Sequence, residues 1–108
     1  MNKARRKEIY AIIRRLESLL KENGTEEIYD QLVDIIEDVD FIFSDEEYCM
    51  DNIPENFRNG FDYFETENRF DNLKEALEVL NEIEEDDDEQ SIKQSINEAI
   101  EYLNNATC

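Results

Sequence analysis

Apolar residues recur at intervals of three and four along most of the chain, which is the spacing that places them on one face of an α-helix. The first run predicts a helix over residues 3–22, and Asn23 and Gly24 supply the stop expected after its last turn. The second run predicts a helix over residues 25–49, with Thr25 as its cap. Because the connection between them is short, these two helices are expected to form an antiparallel hairpin.

The periodicity lapses over residues 51–66, a segment that contains the only proline, Pro54, and that is predicted to be a loop. It returns in two further runs, which predict helices over residues 67–85 and 88–105. The fold class that follows is all-α, with residues 1–108 as a single domain. We expect an antiparallel helical hairpin plus two C-terminal helices in a small three- to four-helix bundle with coiled-coil-like seams.

Residues 84–89 decide whether the third and fourth helices are separate. Their six consecutive acids place like charges three and four residues apart, which opposes helix formation by roughly 0.2–0.5 kcal/mol per pair. Asp87 followed by Gln90 also matches the pattern of a capping box. We therefore predict a break at Asp86 or Asp87.

Composition agrees with helices, since hydrophobic residues make up 40% of the 108 positions and only two glycines and one proline are present. The 30 acids and 11 bases give a net charge of −19, which argues against free nucleic acid and anionic membranes as partners. No apolar stretch approaches the roughly 18 residues of a membrane span. Residues 1–7 lack the apolar core of a signal peptide, so we expect a cytoplasmic protein.

Little in the sequence points to catalysis. The absence of histidine excludes every mechanism that uses imidazole as a base or a metal ligand. Cys49 and Cys108 form no CxxC motif and are expected to be reduced thiols without a role. Carboxylates three residues apart would suit a magnesium-dependent nucleotide hydrolase, a minor alternative because acids this frequent form such pairs by chance. The pairs are Asp34 with Glu37, Glu75 with Glu78, and Glu98 with Glu101.

We accordingly predict no enzyme, no cofactor and no metal site. The run at residues 84–89 does not match a calcium loop either, because it lacks the alternating ligands and the central glycine of an EF-hand.

The charge is unevenly distributed along the chain. Residues 1–23 hold seven bases and three acids, a net charge of +4, whereas residues 24–108 hold four bases and 27 acids. We expect the bases of the first helix to form ion pairs with acids of the other helices, and a phosphate-binding arm is the weaker alternative. The bases placed on one flank of the apolar face are Lys3, Lys7, Arg14 and Lys21.

One side of the second helix, opposite its apolar face, combines acids with two aromatic residues. It consists of Asp30, Asp34, Glu37, Phe41 and Tyr48, with Asp45 at its edge. Carboxylates are expected on a solvent-facing side, but Phe41 and Tyr48 are not. The favoured interpretation is that aromatic residues of the following connection cover them as a satellite core, and these residues are Phe57, Phe61, Tyr63 and Phe64. In the alternative, Phe41 and Tyr48 anchor a partner within an acidic rim.

Three segments together resemble a group of small, acidic phage and prophage proteins. They are Met-Asn-Lys-Ala-Arg-Arg-Lys-Glu-Ile at residues 1–9, Asp-Asn-Ile-Pro-Glu-Asn at residues 51–56, and Asn-Glu-Ala-Ile-Glu-Tyr-Leu at residues 97–103. That group has no assigned activity and supplies no catalytic residues. Its members usually continue as a helix through the acidic region that is interrupted here. The resemblance implies a viral origin and action in a host cytoplasm, where small acidic proteins often oppose host nucleases or defence systems.

The leading hypothesis is an acidic decoy that occupies the basic groove of a host nucleic-acid-binding protein or a defence nuclease, such as a CRISPR effector. The alternative is a homo-oligomeric helical module, such as a homodimer, that uses the apolar seams of the third and fourth helices. The residues predicted to bind the partner are Asp30, Asp34, Glu37, Phe41, Asp45, Tyr48, Glu84, Glu85, Asp86, Asp87, Asp88 and Glu89.

Overall fold

The structure is a computed structural model that describes residues 3–54 and 61–107. These ranges form four helices, which are α1 (Lys3–Leu19), α2 (Thr25–Asp51), α3 (Phe61–Asn81) and α4 (Glu89–Ala106). No strand occurs within the described ranges. The predicted all-α fold class is therefore confirmed.

The four helices pack as a bundle in which each helix contacts two neighbours. α1 and α3 each lie against both α2 and α4, and the most extensive interface joins α3 to α4. Arg5 near the start of α1 pairs with Glu46 near the end of α2, so these helices run antiparallel as predicted. The backbone N–H of Gly24 donates to Glu89 Oε1 over 3.2 Å, which brings the end of α1 to the beginning of α4. Successive helices thus alternate in direction within a molecule of 50 × 23 × 18 Å.

One apolar stripe from each helix forms the core. The stripes follow the three- and four-residue spacing of the sequence, because side chains at that spacing share a helix face. Phe43 of α2 and Phe70 of α3 stack beside the core with their ring centroids 4.8 Å apart. The buried core residues are Ile9, Ile12, Ile13, Leu16, Leu19, Ile28, Leu32, Ile35, Val39, Ile42, Leu73, Ala76, Leu77, Leu80, Ile83, Ile92, Ile96, Ala99, Leu103 and Ala106.

The connection between α1 and α2 depends on Gly24. α1 ends at Leu19, three residues before the predicted end, and turn hydrogen bonds continue to Glu22. Gly24 then adopts a φ of 99°, in the region that favours glycine. The prediction that Thr25 caps α2 is wrong, since Gly24 occupies the cap position. Glycine has no side chain that could accept hydrogen bonds from the free N–H groups in the first turn of α2.

The predicted loop over residues 51–66 is wrong at both ends. α2 continues to Asp51, and α3 already begins at Phe61. The first turns of α3 carry no apolar stripe because polar side chains occupy inward-facing positions, including Thr66, which is half-buried, and Arg69, which is 15% exposed. Without an apolar period, the sequence pattern gave no sign of this part of the helix.

The predicted break between the third and fourth helices is present and longer than expected. α3 ends at Asn81 and α4 begins at Glu89, so the predicted continuation of the third helix to residue 85 is wrong. The helix cap is Asp88, which accepts a hydrogen bond from the backbone N–H of Ser91 over 2.7 Å. Asp87, the predicted cap, instead accepts from the backbone N–H of Glu84 over 2.9 Å. Both carboxylates therefore stabilise the break, because each accepts a hydrogen bond from a backbone N–H group near a helix end.

Charged side chains take over from apolar ones at the end of the bundle where α1 begins. Arg5 lies four residues before Ile9, and Glu46 lies four residues after Ile42, so both occupy inward positions. Their side chains are only 11% and 18% exposed, and Arg5 Nε lies 3.0 Å from Glu46 Oε1. Arg5 also pairs with Asp45. This end of the core is consequently closed by a half-buried ion-pair network.

No helix in the described part of the chain is both long and apolar enough to cross a membrane.

We expect replacement of Leu32 by alanine to lower the free energy of unfolding by about 2–5 kcal/mol, because the side chain is 0% exposed and its loss leaves a cavity. Val33, the adjacent residue, is 40% exposed, so its replacement by alanine should change stability by less than about 0.5 kcal/mol. Urea unfolding followed by circular dichroism measures both. Equal losses of stability in the two variants would contradict the assignment of Leu32 to the buried face of α2.

Replacement of Arg5 by alanine should destabilise the protein more than the same replacement of Arg15. The Arg15–Asp38 pair is exposed on both sides and is worth at most about 1 kcal/mol. Loss of Arg5 leaves Glu46 half-buried without this partner, a situation that costs more. Urea midpoints of the two variants test the difference, and a larger effect at Arg15 would contradict the network's role.

Candidate partner-binding surface

The outward side of α2 carries the predicted combination of acids and aromatic residues, which we call the α2 stripe (Asp30, Asp34, Glu37, Phe41, Asp45 and Tyr48). All six side chains are exposed. Asp30, Glu37, Phe41 and Tyr48 lie more than a quarter turn from the buried residues of α2, and Asp34 and Asp45 lie nearer the edge of the buried face. Phe41 and Tyr48 are each 70% exposed, which is unusual for aromatic side chains of this size.

The favoured prediction that aromatic residues of the connection cover Phe41 and Tyr48 is wrong, because both rings remain open to solvent. Phe64 is itself 62% exposed on α3, and Tyr63 is half-buried. Phe57 and the side chain of Phe61 lie outside the described residues. The physical reason is that Tyr63 and Phe64 belong to α3, so the helix fixes the directions of their side chains.

The acids of the α2 stripe differ in whether they are paired. Asp45 binds Arg5 across the α1–α2 interface. Asp30, Asp34 and Glu37 take part in no ion pair among residues 3–54 and 61–107. Their charge is therefore available to a partner.

A shallow groove runs between the outer sides of α1 and α2, and Phe41 stands at its edge. One depression, of about 250 Å³, is lined by Ala11, Ile12 and Phe41 together with charged side chains on both helices. A second, of about 340 Å³, includes Ser18 and Asp34. Arg15 lines both depressions and separates them. The α2 stripe thus borders a concave surface that is partly apolar beside Phe41 and mainly polar beside Asp34.

The acidic run at residues 84–89 lies at the end of the bundle where α4 begins, and half of it serves the local structure. Asp87 and Asp88 bond backbone N–H groups. Glu89 accepts from Gly24 and lies 3.5 Å from Lys93 Nζ. The structure does not place this run along the α2 stripe, so the twelve predicted partner-binding residues do not form one continuous surface. Glu84, Glu85 and Asp86 are exposed and are the members of the run whose carboxylates form no such bond within the described residues.

The carboxylates considered for magnesium are not brought together. Within the described residues, the one set of three acids whose oxygens lie within 4.8 Å of one another is Glu84, Asp86 and Asp87. None of the three predicted carboxylate pairs belongs to it. One oxygen of Asp87 is already used by the backbone of Glu84.

The bases of α1 behave differently from the prediction of general ion pairing. Arg5 and Arg15 do pair with acids of α2. The four bases predicted to line the flank are exposed and have no ion pair within the described part of the chain, so the prediction is wrong for Lys3, Lys7, Arg14 and Lys21. Lys3, Lys7 and Arg14 lie on the outer side of α1, away from the core residues Ile9 and Leu16, and Lys21 follows the end of the helix. α1 therefore presents a basic side beside the acidic α2.

Comparisons with protein-family models, with curated proteins and with solved structures find no match to this chain. The resemblance to small phage proteins is therefore neither supported nor contradicted by them.

Asp88 provides a pH-dependent contribution to stability. The N–H and hydroxyl of Ser91, as hydrogen-bond donors, lower the pKa of the Asp88 carboxyl below its ordinary value of 3.8. A carboxyl whose pKa is lower in the folded state stabilises the fold fully above 3.8, and this contribution is lost as the pH falls through the folded pKa. We expect Asp88→Ala to lower the melting temperature clearly at about pH 7 and by less at about pH 2.5.

Circular dichroism melting of the wild type and the variant at both pH values measures this difference. Asp86→Ala is the control, because Asp86 is a neighbouring exposed acid outside the cap. An equal loss for Asp88→Ala at the two pH values would contradict a role for the ionised carboxylate.

Proposed function

We propose that this protein is an acidic binding protein of phage type that inhibits a host nucleic-acid-binding protein or defence nuclease by occupying its basic groove. The observation that carries the proposal is the exposed α2 stripe, in which four carboxylates share one side of the helix with two aromatic side chains that are 70% exposed. Three of these carboxylates have no ion pair among the described residues. Aromatic residues within a polar rim are typical of binding hot spots.

The length and charge of the α2 stripe suit a groove that normally holds nucleic acid. Asp30 and Tyr48 are 18 residues apart, so the stripe extends for about 27 Å. A single helix carries fewer charges per ångström than duplex DNA, which has one for about 1.7 Å of axis. α3 packs against α2 and carries exposed acids such as Glu75 and Glu78, so a groove wide enough to span both helices would meet more acids than α2 alone provides. Since α4 lies diagonally across the bundle from α2, a groove would meet two acidic helices rather than three.

Two parts of the surface have different roles in this proposal. The net charge of −19 accelerates the encounter with a basic partner and makes binding sensitive to salt. Phe41 and Tyr48 supply apolar contact area once the partner is in place. Glu84, Glu85 and Asp86 add to the steering field from the end of the bundle.

The test is a pull-down from bacterial lysate with the immobilised protein at roughly 0.05 M and 0.5 M salt, with and without competing duplex DNA. We expect a nucleic-acid-binding protein to be retained at low salt and released by DNA or by high salt. Recovery of the same proteins at both salt concentrations, with no displacement by DNA, would contradict the decoy proposal.

Reversal of three charges in the α2 stripe, Asp30→Lys, Asp34→Lys and Glu37→Lys, should weaken capture of that partner by about tenfold or more and flatten its salt dependence. The matched control reverses three exposed acids outside the α2 stripe and α3, Glu82, Glu98 and Glu101, and changes the net charge equally. We expect the control to slow capture without abolishing it. If both triple variants lose capture equally, net charge and not the α2 stripe is responsible.

A further inference from the structure

We propose that the outer face formed by α1 and α2 is self-complementary and pairs with the same face of a second copy. In the pair, Phe41 of each copy packs into the depression over Ala11 of the other, around a two-fold axis parallel to the helices. This inference does not rest on the proposed function. It uses part of the same stripe, so partner binding and self-association exclude each other.

Large side chains on α2 lie beside small side chains on α1. The two sets have the same height, by which we mean the same position along the axis of the bundle. The ion pairs Arg5–Glu46 and Arg15–Asp38 fix which residues of the two antiparallel helices lie level, and their residue numbers sum to 51 and 53. Residues whose numbers sum to 52 therefore lie level. The level pairs on the outer face are Ala4 with Tyr48, Ala11 with Phe41, and Ser18 with Asp34.

The depressions between the helices confirm this levelling for two of the three pairs. Ala11 and Phe41 line one depression, and Ser18 and Asp34 line the other. Ala4, Ala11 and Ser18 recur every seven residues, so they form a row of small, exposed side chains along α1. Tyr48 and Phe41 form the matching row of large side chains along α2. The face is therefore recessed along α1, and it protrudes along α2.

A two-fold axis parallel to the helices makes the face complementary to itself, because the protruding α2 of one copy then meets the recessed α1 of the other. The rotation keeps every residue at its own height and places α1 of one copy opposite α2 of the other. Because α1 and α2 run antiparallel within one copy, they also run antiparallel across the pair. Phe41 then faces Ala11 of the second copy and Tyr48 faces Ala4, each contact occurring twice, as a two-fold interface requires.

The charges beside these rows also match across the pair. Arg14 lies on the side of α1 away from α2, and it has no ion pair among the described residues. On α2, Glu37 lies beside Phe41 and farther from α1, and it also has no ion pair among them. Because their residue numbers sum to 51, the two-fold axis brings Arg14 opposite Glu37 of the second copy. Within one copy these residues lie on opposite sides of the hairpin, so the pairs form only between copies.

A second copy fits this face better than a purely basic or purely acidic partner, because the face is basic along α1 and acidic along α2. The net charge of −19 on each copy opposes association at long range. At physiological ionic strength, however, charges more than about 8 Å apart are largely screened, whereas contacting pairs are not.

The expected strength follows from the area. Two helices about 27 Å long and 8–10 Å apart offer about 500 Å² per copy. The total of about 1,000 Å² lies at the lower end for specific interfaces, so we expect a reversible dimer that depends on concentration.

Sedimentation equilibrium of the full chain, over about 2 to 500 µM protein at roughly 0.15 M salt, tests the interface. We expect a monomer–dimer equilibrium that Phe41→Ala weakens by about tenfold or more. The control is Phe64→Ala, which removes an equally large exposed ring from α3 and should leave the dimer unchanged. A monomer over the whole range, or equal effects of the two variants, would overturn the proposal.

A charge exchange identifies the register. Arg14→Glu and Glu37→Arg should each weaken the dimer by about tenfold, and the double variant should restore it. The two single variants change the net charge in opposite directions, so net charge cannot explain a loss in both. Failure of the double variant to restore the dimer would overturn this register. None of these measurements involves a partner protein, so their outcome is independent of the decoy proposal.

Discussion

The burial of one apolar stripe from each of four helices is the interaction on which the rest of the structure depends. A chain with 30 acids and 11 bases repels itself when it becomes compact, and hydrophobic burial must outweigh this repulsion. The core achieves this with aliphatic side chains that are almost completely buried, such as Ile9, Leu32 and Ile96 at 0% exposure. Once these stripes face inward, the helical period leaves most of the acids on the surface.

Charge is also used inside the bundle, where the apolar stripes end. Arg5 and Glu46 extend the inward faces of α1 and α2 beyond the last isoleucines, and they fix the height of one helix against the other. Gly24 and the capping carboxylate of Asp88 define the connections at the opposite end. The height and direction of the helices are thus set by a few polar contacts, whereas the free energy of folding comes mainly from apolar ones.

These constraints give the surface its pattern. α1 presents exposed bases and α2 presents exposed acids, and the two helices are neighbours because a short connection makes them a hairpin. The aromatic side chains of Phe41 and Tyr48 stand at the boundary between these regions. A surface with apolar, basic and acidic parts in fixed register offers more specificity than net charge alone.

The sequence by itself determined the four helices, the inward stripes, the hairpin and the break before α4, because each of these depends on local spacing or on turn and capping residues. It missed the start of α3, where inward positions hold Thr66 and Arg69 and no apolar period exists to detect. Only the tertiary structure decided that Phe41 and Tyr48 remain exposed, that Lys7 and Arg14 pair with no acid of the described residues, and that Arg5 pairs with Asp45 and Glu46. Exposure and pairing depend on what a neighbouring helix places at the same height, and this is fixed by the packing of distant segments rather than by the residues adjacent in the chain.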